Sequence, residues 1–200
     1  MRKPIGFAAV AALAFTLSSA HAAWRVDNDQ STFDFVTSKA GMSGVGAIQE
    51  VQTFKQIGGT VSNDGKLAFS VDLASVETNI PLRNERLKEM LFKVANSPQA
   101  TFTATVDAHR FQAMRPGALA DIDVNGQLTI SGRSNALTAH LRVVKLASGA
   151  LQVSTSAPIV VNLKDYGLQD GVEALRNVMN LNVLASSAPV TFSVVLKPEK

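Results

Sequence analysis

Few side chains in this sequence are suited to chemistry. Cysteine is absent, which excludes thiol nucleophiles, covalent c-type haem and lipid attachment at an N-terminal cysteine. His21 lies in an apolar leader, leaving His109 and His140, and neither has the surroundings of a catalytic triad or nucleophile elbow. His140 falls on the polar side of an alternating segment and reads as solvated. Asp107 and His109, two apart, share a face if that segment is a strand, and a shared metal is the chemistry this would allow. No third ligand is evident, so the pair reads as an ordinary loop end. Gly41, Gly44 and Gly46 lack the spacing and the βαβ setting of a phosphate-binding loop and read as a mobile loop. The densest polar grouping is Arg83, Arg86 and Lys88. Either it is a solvated helix face paired with Glu85 and Glu89, or it is a cationic rim that meets a phosphate or another polar head.

The elements that must carry these residues are mostly strands. Apolar residues recur at every second position in segment after segment. Phe33 and Phe35 alternate with Thr32 and Asp34; Leu67, Phe69, Val71 and Leu73 with Ala68, Ser70 and Asp72; Phe102, Ala104 and Val106 with threonines. Val124, Gly126, Leu128 and Ile130 form a further face, as do Leu137, Ala139, Leu141 and Val143, then Leu151, Val153, Thr155 and Ala157, then Val190, Phe192, Val194 and Leu196. Residues 51–61 add one or two strands, with a break expected at Gly58-Gly59. One apolar and one polar face per strand excludes a parallel sheet covered by helices on both sides. About eight such strands imply an all-β, antiparallel sandwich or closed barrel. Asn63-Asp64-Gly65 and Ala147-Ser148-Gly149 supply hairpin turns. Helical spacing appears over 81–92, with Pro81 in the first turn and Asn79 as the expected cap, and again over 169–176, with Val172 and Leu175 inward. These short helices are expected to plug or rim the barrel.

Arg2 and Lys3, the apolar run from Ile5 to Leu17 and Ala20-His21-Ala22 have the form of a cleavable export signal. The expected division is a signal peptide over 1–22 and one domain over 23–200, with cleavage after Ala22 delivering the chain to the periplasm. The leader holds two of the 19 basic residues and none of the 16 acidic ones, so its loss lowers the net charge from +3 to +1. The remaining cations are scattered singly, which excludes a nucleic-acid surface.

Ser75-Val76-Glu77-Thr78, Arg83, Arg86-Leu87-Lys88, Phe92, Pro98 and Ala100-Thr101-Phe102 together resemble the central motif of YceI-like proteins. Gly126 to Gly132 and Asp165-Tyr166-Gly167 add to the resemblance, which runs from Trp24 to Leu196. It implies a lipocalin-like (calycin-type) barrel, periplasmic export, no catalysis and no cofactor beyond a bound isoprenoid or quinone-like lipid. A membrane-protein partner stays open. The basic residues of the motif put Arg83 and Arg86 at a head-group rim. Gln30 and Lys39 stand where many members carry His, and 41–49 also departs from the common form. These departures lie near the expected mouth and bear on the head group rather than the tail.

Alternation alone leaves the interior open between two readings. Large residues (Phe33, Phe35, Phe69, Phe102, Phe192) are interleaved with small ones (Ala104, Gly126, Ala139, Ala157), and the small ones either leave a lane for a ligand or accommodate the rings. The resemblance implies a lumen, whose expected lining is Phe33, Phe35, Phe69, Val71, Leu91, Phe92, Phe102, Ala104, Leu128, Leu141 and Phe192. The alternative is an exported interaction module with a solidly packed barrel.

Overall fold

The computed structural model describes residues 22–42 and 46–199. Apart from Ala22, the expected leader lies outside them, as does Gly44. The strands are β1 (Ala22–Gly41), β2 (Ile48–Phe54), β3 (Ile57–Ser62), β4 (Lys66–Asp72), β5 (Val76–Glu77), β6 (Gln99–Thr105), β7 (Leu119–Ile130), β8 (Arg133–Lys145), β9 (Leu151–Thr155), β10 (Ile159–Asn162), β11 (Leu181–Leu184) and β12 (Ser187–Pro198). Helix α1 (Pro81–Arg86) runs on as a π-helix over Leu87–Phe92; α2 spans Ala108–Ala113 and α3 spans Gln169–Val178.

All the pairings are antiparallel, and β12 pairs with β1 to close a barrel of 8 strands, as the alternation implies. The barrel strands outnumber the alternating segments because two of them are interrupted. β2 and β3 form one long partner of β1, pairing with Asp34–Lys39 and Ala22–Arg25 respectively, and β9 and β10 together form one partner of β12. The break in the β2–β3 strand falls at Lys55-Gln56 rather than at Gly58-Gly59, which lie inside β3. Gly59 serves a different need: a Cβ there would sit 2.5 Å from the Ala68 carbonyl oxygen, so only glycine lets β3 lie this close to β4.

The barrel has two unlike ends. At one, the β3–β4 and β8–β9 hairpins occur at the expected turns, and α2 covers the opening. Helix α2 was not expected: the alternation of Phe102 to Val106 stops at Asp107, whose side chain caps the helix by accepting from the Arg110 N–H at 3.0 Å. Asp107 and His109 therefore share no strand face, and no group of three potential metal ligands occurs among the described residues. At the other end lie the β7–β8 turn, α1 with its π-helical extension, and α3. Pro81 opens α1 as expected, but the capping position is Ile80, and Asn79 instead adopts a left-handed turn conformation (φ 59°). Helix α3 starts at Gln169 as expected and buries Val172 and Leu175. No described helix is long and apolar enough to cross a membrane.

Candidate functional site: an apolar cavity under a helical lid

Where the inner faces of the strands meet, the core is not filled. A cavity of about 240 Å³ occupies the barrel. One water needs only roughly 10–15 Å³ on this measure, and a close-packed interior holds few voids even of that size. The barrel is thus hollow rather than solid over part of its length. The lining is almost entirely aliphatic and aromatic, with Thr37, Thr60 and Ser187 its only hydroxyl-bearing residues.

Ten of the expected interior residues line this cavity: Phe33, Phe35, Phe69, Val71, Leu91, Phe92, Phe102, Leu128, Leu141 and Phe192. Ala104 does not. It lies opposite Gly126 and packs against Val124, Ala139 and Leu141, which themselves line the cavity. Gly126 settles the question of the small residues at its own position, since a Cβ there would meet the Phe102 ring at 2.4 Å; the small residue accommodates the aromatic. Ala157 is exposed in the bend after β9, so it does not belong to the interior.

Phenylalanines build one wall. The rings of Phe33, Phe69 and Phe192 stack with centroids 5.9–6.1 Å apart, and Phe54 bridges Phe33, Phe35 and Phe92 at 5.0–6.1 Å. Phe54 escapes a reading of the sequence because its inner neighbours on β2 are Glu50 and Gln52, so that strand shows no apolar alternation. The lid contributes Leu87, Leu91 and Phe92 from the π-helix and Val172 and Leu175 from α3. The two helices are in close contact: a Cβ on Gly171 would stand 2.7 Å from the Met90 carbonyl oxygen.

Polar contacts fasten the lid to the wall. Thr78 is buried and donates through its backbone N–H (2.9 Å) and its hydroxyl (2.6 Å) to the Asn84 side-chain oxygen; the Asn84 amide donates to Glu77 at 3.0 Å. Bonds from Asn84, Lys55 and the Asn79 N–H hold the Glu77 carboxyl down at about 2. Arg83 donates to Glu50 at 2.7 Å and to the Thr78 carbonyl at 2.6 Å, while its buried Nε has no partner. Lys39 also reaches Glu50, at 2.8 Å. The bond from Lys39, reinforced by the Arg83 charge, keeps the Glu50 carboxyl below the usual range against the opposing effect of burial. Lys88 pairs with Glu85, as a solvated helix face would have it. Arg86 forms no ion pair among the described residues. Of the two departures expected near a mouth, Lys39 is at the lid end, whereas Gln30 lies exposed on an irregular stretch midway along β1, bonded to Asp27 at 2.6 Å.

A profile of the YceI-like domain matches residues 24–196. Among solved structures, a polyisoprenoid binding domain from Saccharophagus degradans implicated in plant cell wall breakdown is 30% identical. It superposes with a TM-score of 0.84 over 90% of this chain and 100% of that one. BcnA of Burkholderia cenocepacia (18% identity, TM-score 0.63, 85% and 98% covered) and the YCEI protein of Campylobacter jejuni (20%, 0.51, 74% and 84%) share the fold. No curated protein matches the chain.

Proposed function

From the premise that this chain belongs to the YceI-like domain family, we propose that it holds a long apolar isoprenoid or quinone-like chain inside the barrel, as a non-catalytic carrier or store. The observation that carries the reading is the apolar cavity of about 240 Å³, in a barrel whose 30%-identical relative is a polyisoprenoid binding domain. Each methylene taken out of water contributes roughly 0.8 kcal/mol, offset in part by ordering the chain. With only hydroxyls among the polar lining, the cavity selects slender hydrocarbon. A polar head then belongs at the lid, where Arg83 and Arg86 supply positive charge and Arg86 is the unpaired one. The leader over 1–22 directs the protein to the periplasm, where donor and acceptor of the lipid, including any membrane-protein partner, would be met.

Mass spectrometry of an organic extract of the protein, purified from the periplasmic fraction, tests this. A prenyl lipid at a stoichiometry near one per chain is the expected result, on protein that begins at Ala23. Absence of lipid, together with no thermal shift on adding a prenyl alcohol, would reject the reading.

A further inference from the structure

The lid elements carry apolar side chains on their outer as well as their inner faces. Their inner faces line the cavity: Leu87 and Leu91 follow α1, Val172 and Leu175 lie on α3, and Leu184 lies on β11. Their outer faces carry large apolar side chains in solvent: Leu82 on α1 is 60% exposed, Val178 at the end of α3 is 46% and Val183 on β11 is 50%. Ile80 and, on the adjoining β2, Ile48 and Val51 extend the set, and Met42 follows β1 at the same end. Of the nine large hydrophobics exposed among the described residues, only Leu119 lies at the hairpin end; Val160, on β10 just before segment 163–178, belongs with the lid-end set. Large apolar side chains gathered at one end of a molecule and left in water mark a contact surface.

The outer set is continuous with the cavity wall. Val183 and Leu184 are successive residues of β11, one outside and one lining the cavity, and Leu184 faces Lys39, which in turn faces Ile48. The charges on this surface nearly balance. Segments 81–93 and 163–178 together carry six cations and five anions, and Arg83 shares Glu50 with Lys39. Elements that separate an apolar cavity from the exterior, and present large apolar side chains toward both, fit between that cavity and an apolar medium.

We infer that the lid end docks on a lipid bilayer by shallow insertion of these side chains, so that hydrocarbon passes between bilayer and cavity without crossing water. The inference rests on the lipid-holding reading for its purpose but not for its test. Full-length mature protein is sedimented with sucrose-loaded vesicles of neutral phosphatidylcholine at low and high salt. Binding that survives high salt is expected, because insertion is apolar rather than electrostatic. The double variant Leu82→Ser/Val183→Ser, with Ile48→Ser/Val178→Ser as an independent second pair, is expected to weaken partitioning on the order of tenfold. Leu119→Ser, at the hairpin end, is expected to leave it unchanged, and thermal midpoints verify that all three variants fold. Failure of the wild type to bind neutral vesicles, or equal binding by the lid-end pairs, overturns the inference. So does light scattering that finds a wild-type dimer dispersed by the lid-end substitutions, since the face is then a contact between copies. Lipid content of the same preparations is measured separately: lipid-free protein that still binds vesicles defeats the lipid-holding reading alone, and lipid-loaded protein that does not bind defeats docking alone.

Discussion

At the hairpin end of the barrel, Trp24, Val61, Ala108, Phe111, Val143 and Leu151 form a closed cluster, each no more than 6% exposed, and Lys145 lies 5.5 Å above the Trp24 ring. At the lid end, the equivalent layer is made by two helices over a void, fastened at Asn84 and Glu50 and apolar on the outside. The hairpin end is sealed by close packing. The lid is held by Leu87, Leu91, Phe92, Val172 and Leu175, packed around the void, and by the polar fastenings; displacing it would expose these side chains but leave the strand pairings intact. The same strands thus support a packed plug and a cover over a void, because what distinguishes the ends is the inserted helices and not the barrel wall.

That contrast is sharpest in truncation. Phe111→Ala in the plug is expected to cost about 3–5 kcal/mol, as for a ring removed from a close-packed site. Phe69→Ala, whose ring faces the cavity, is expected to cost about 1–2 kcal/mol, because fewer neighbours are left around a new gap. Denaturant midpoints measure both, and equal losses would erase the distinction between filled and hollow layers. Enlarging small residues makes the next test. Ala104→Phe, opposite Gly126 where the Phe102 ring already takes the space, is expected to destabilise by about 1–3 kcal/mol. Ala188→Phe, which projects into the cavity, is expected to leave delipidated protein nearly as stable while abolishing recovery of bound lipid. A strongly destabilised Ala188→Phe would mean that this part of the barrel is packed after all.

Smaller effects are expected at the fastenings. Glu50→Gln removes the shared partner of Lys39 and Arg83 and is expected to cost about 1 kcal/mol, whereas Arg86→Gln should leave stability unchanged and weaken only lipids with an anionic head. Calorimetry of the two variants with phosphorylated and neutral prenyl alcohols separates these roles. The smallest expected effect is on acid sensitivity. Because the folded-state pKa of Glu77 is about 2, below the ordinary 4.5, its contribution is complete above about pH 4.5 and is lost as pH falls toward 2. The midpoint difference between wild type and Glu77→Gln is therefore expected to be constant at neutral pH and to vanish across that window. Asp64, in the hairpin at the plug end, is also held at about 2, by Lys66 first, so acid by itself loosens both ends. The fluorescence of Trp24, the sole tryptophan, reports the plug and keeps the two apart.

Much of the barrel can be read from the residues, because a strand with one wet and one dry face writes that difference into every second position. The cavity lining follows from the same alternation. Ala104 and Ala157 are where it misleads: alternation gives the side a residue faces, but whether the space before it is filled depends on strands far away in sequence, and Ala157 lies past the point where β9 bends. Helix α2 is hidden because Asp107 looks like one more polar position until its role as a cap is seen. The bend at Lys55-Gln56 carries neither glycine nor proline, so nothing local announces it. Phe54 is masked by inward Glu50 and Gln52, whose presence makes sense only once Arg83 and Lys39 arrive from other elements. The helices over 81–92 and 169–178 are legible as helices, but their outer hydrophobics look like ordinary helix periodicity until the lid is assembled.

The packed layer at Trp24 and Phe111 has a kinetic consequence. A pocket blind at one end admits a slender occupant only lengthwise, and nothing can enter behind it to push it out. Exchange in such a cul-de-sac is sequential: the resident must leave before a replacement arrives. Its off-rate is then independent of how much acceptor is present, and transfer between two bilayers requires the protein to travel between them like a ferry instead of spanning them like a pipe.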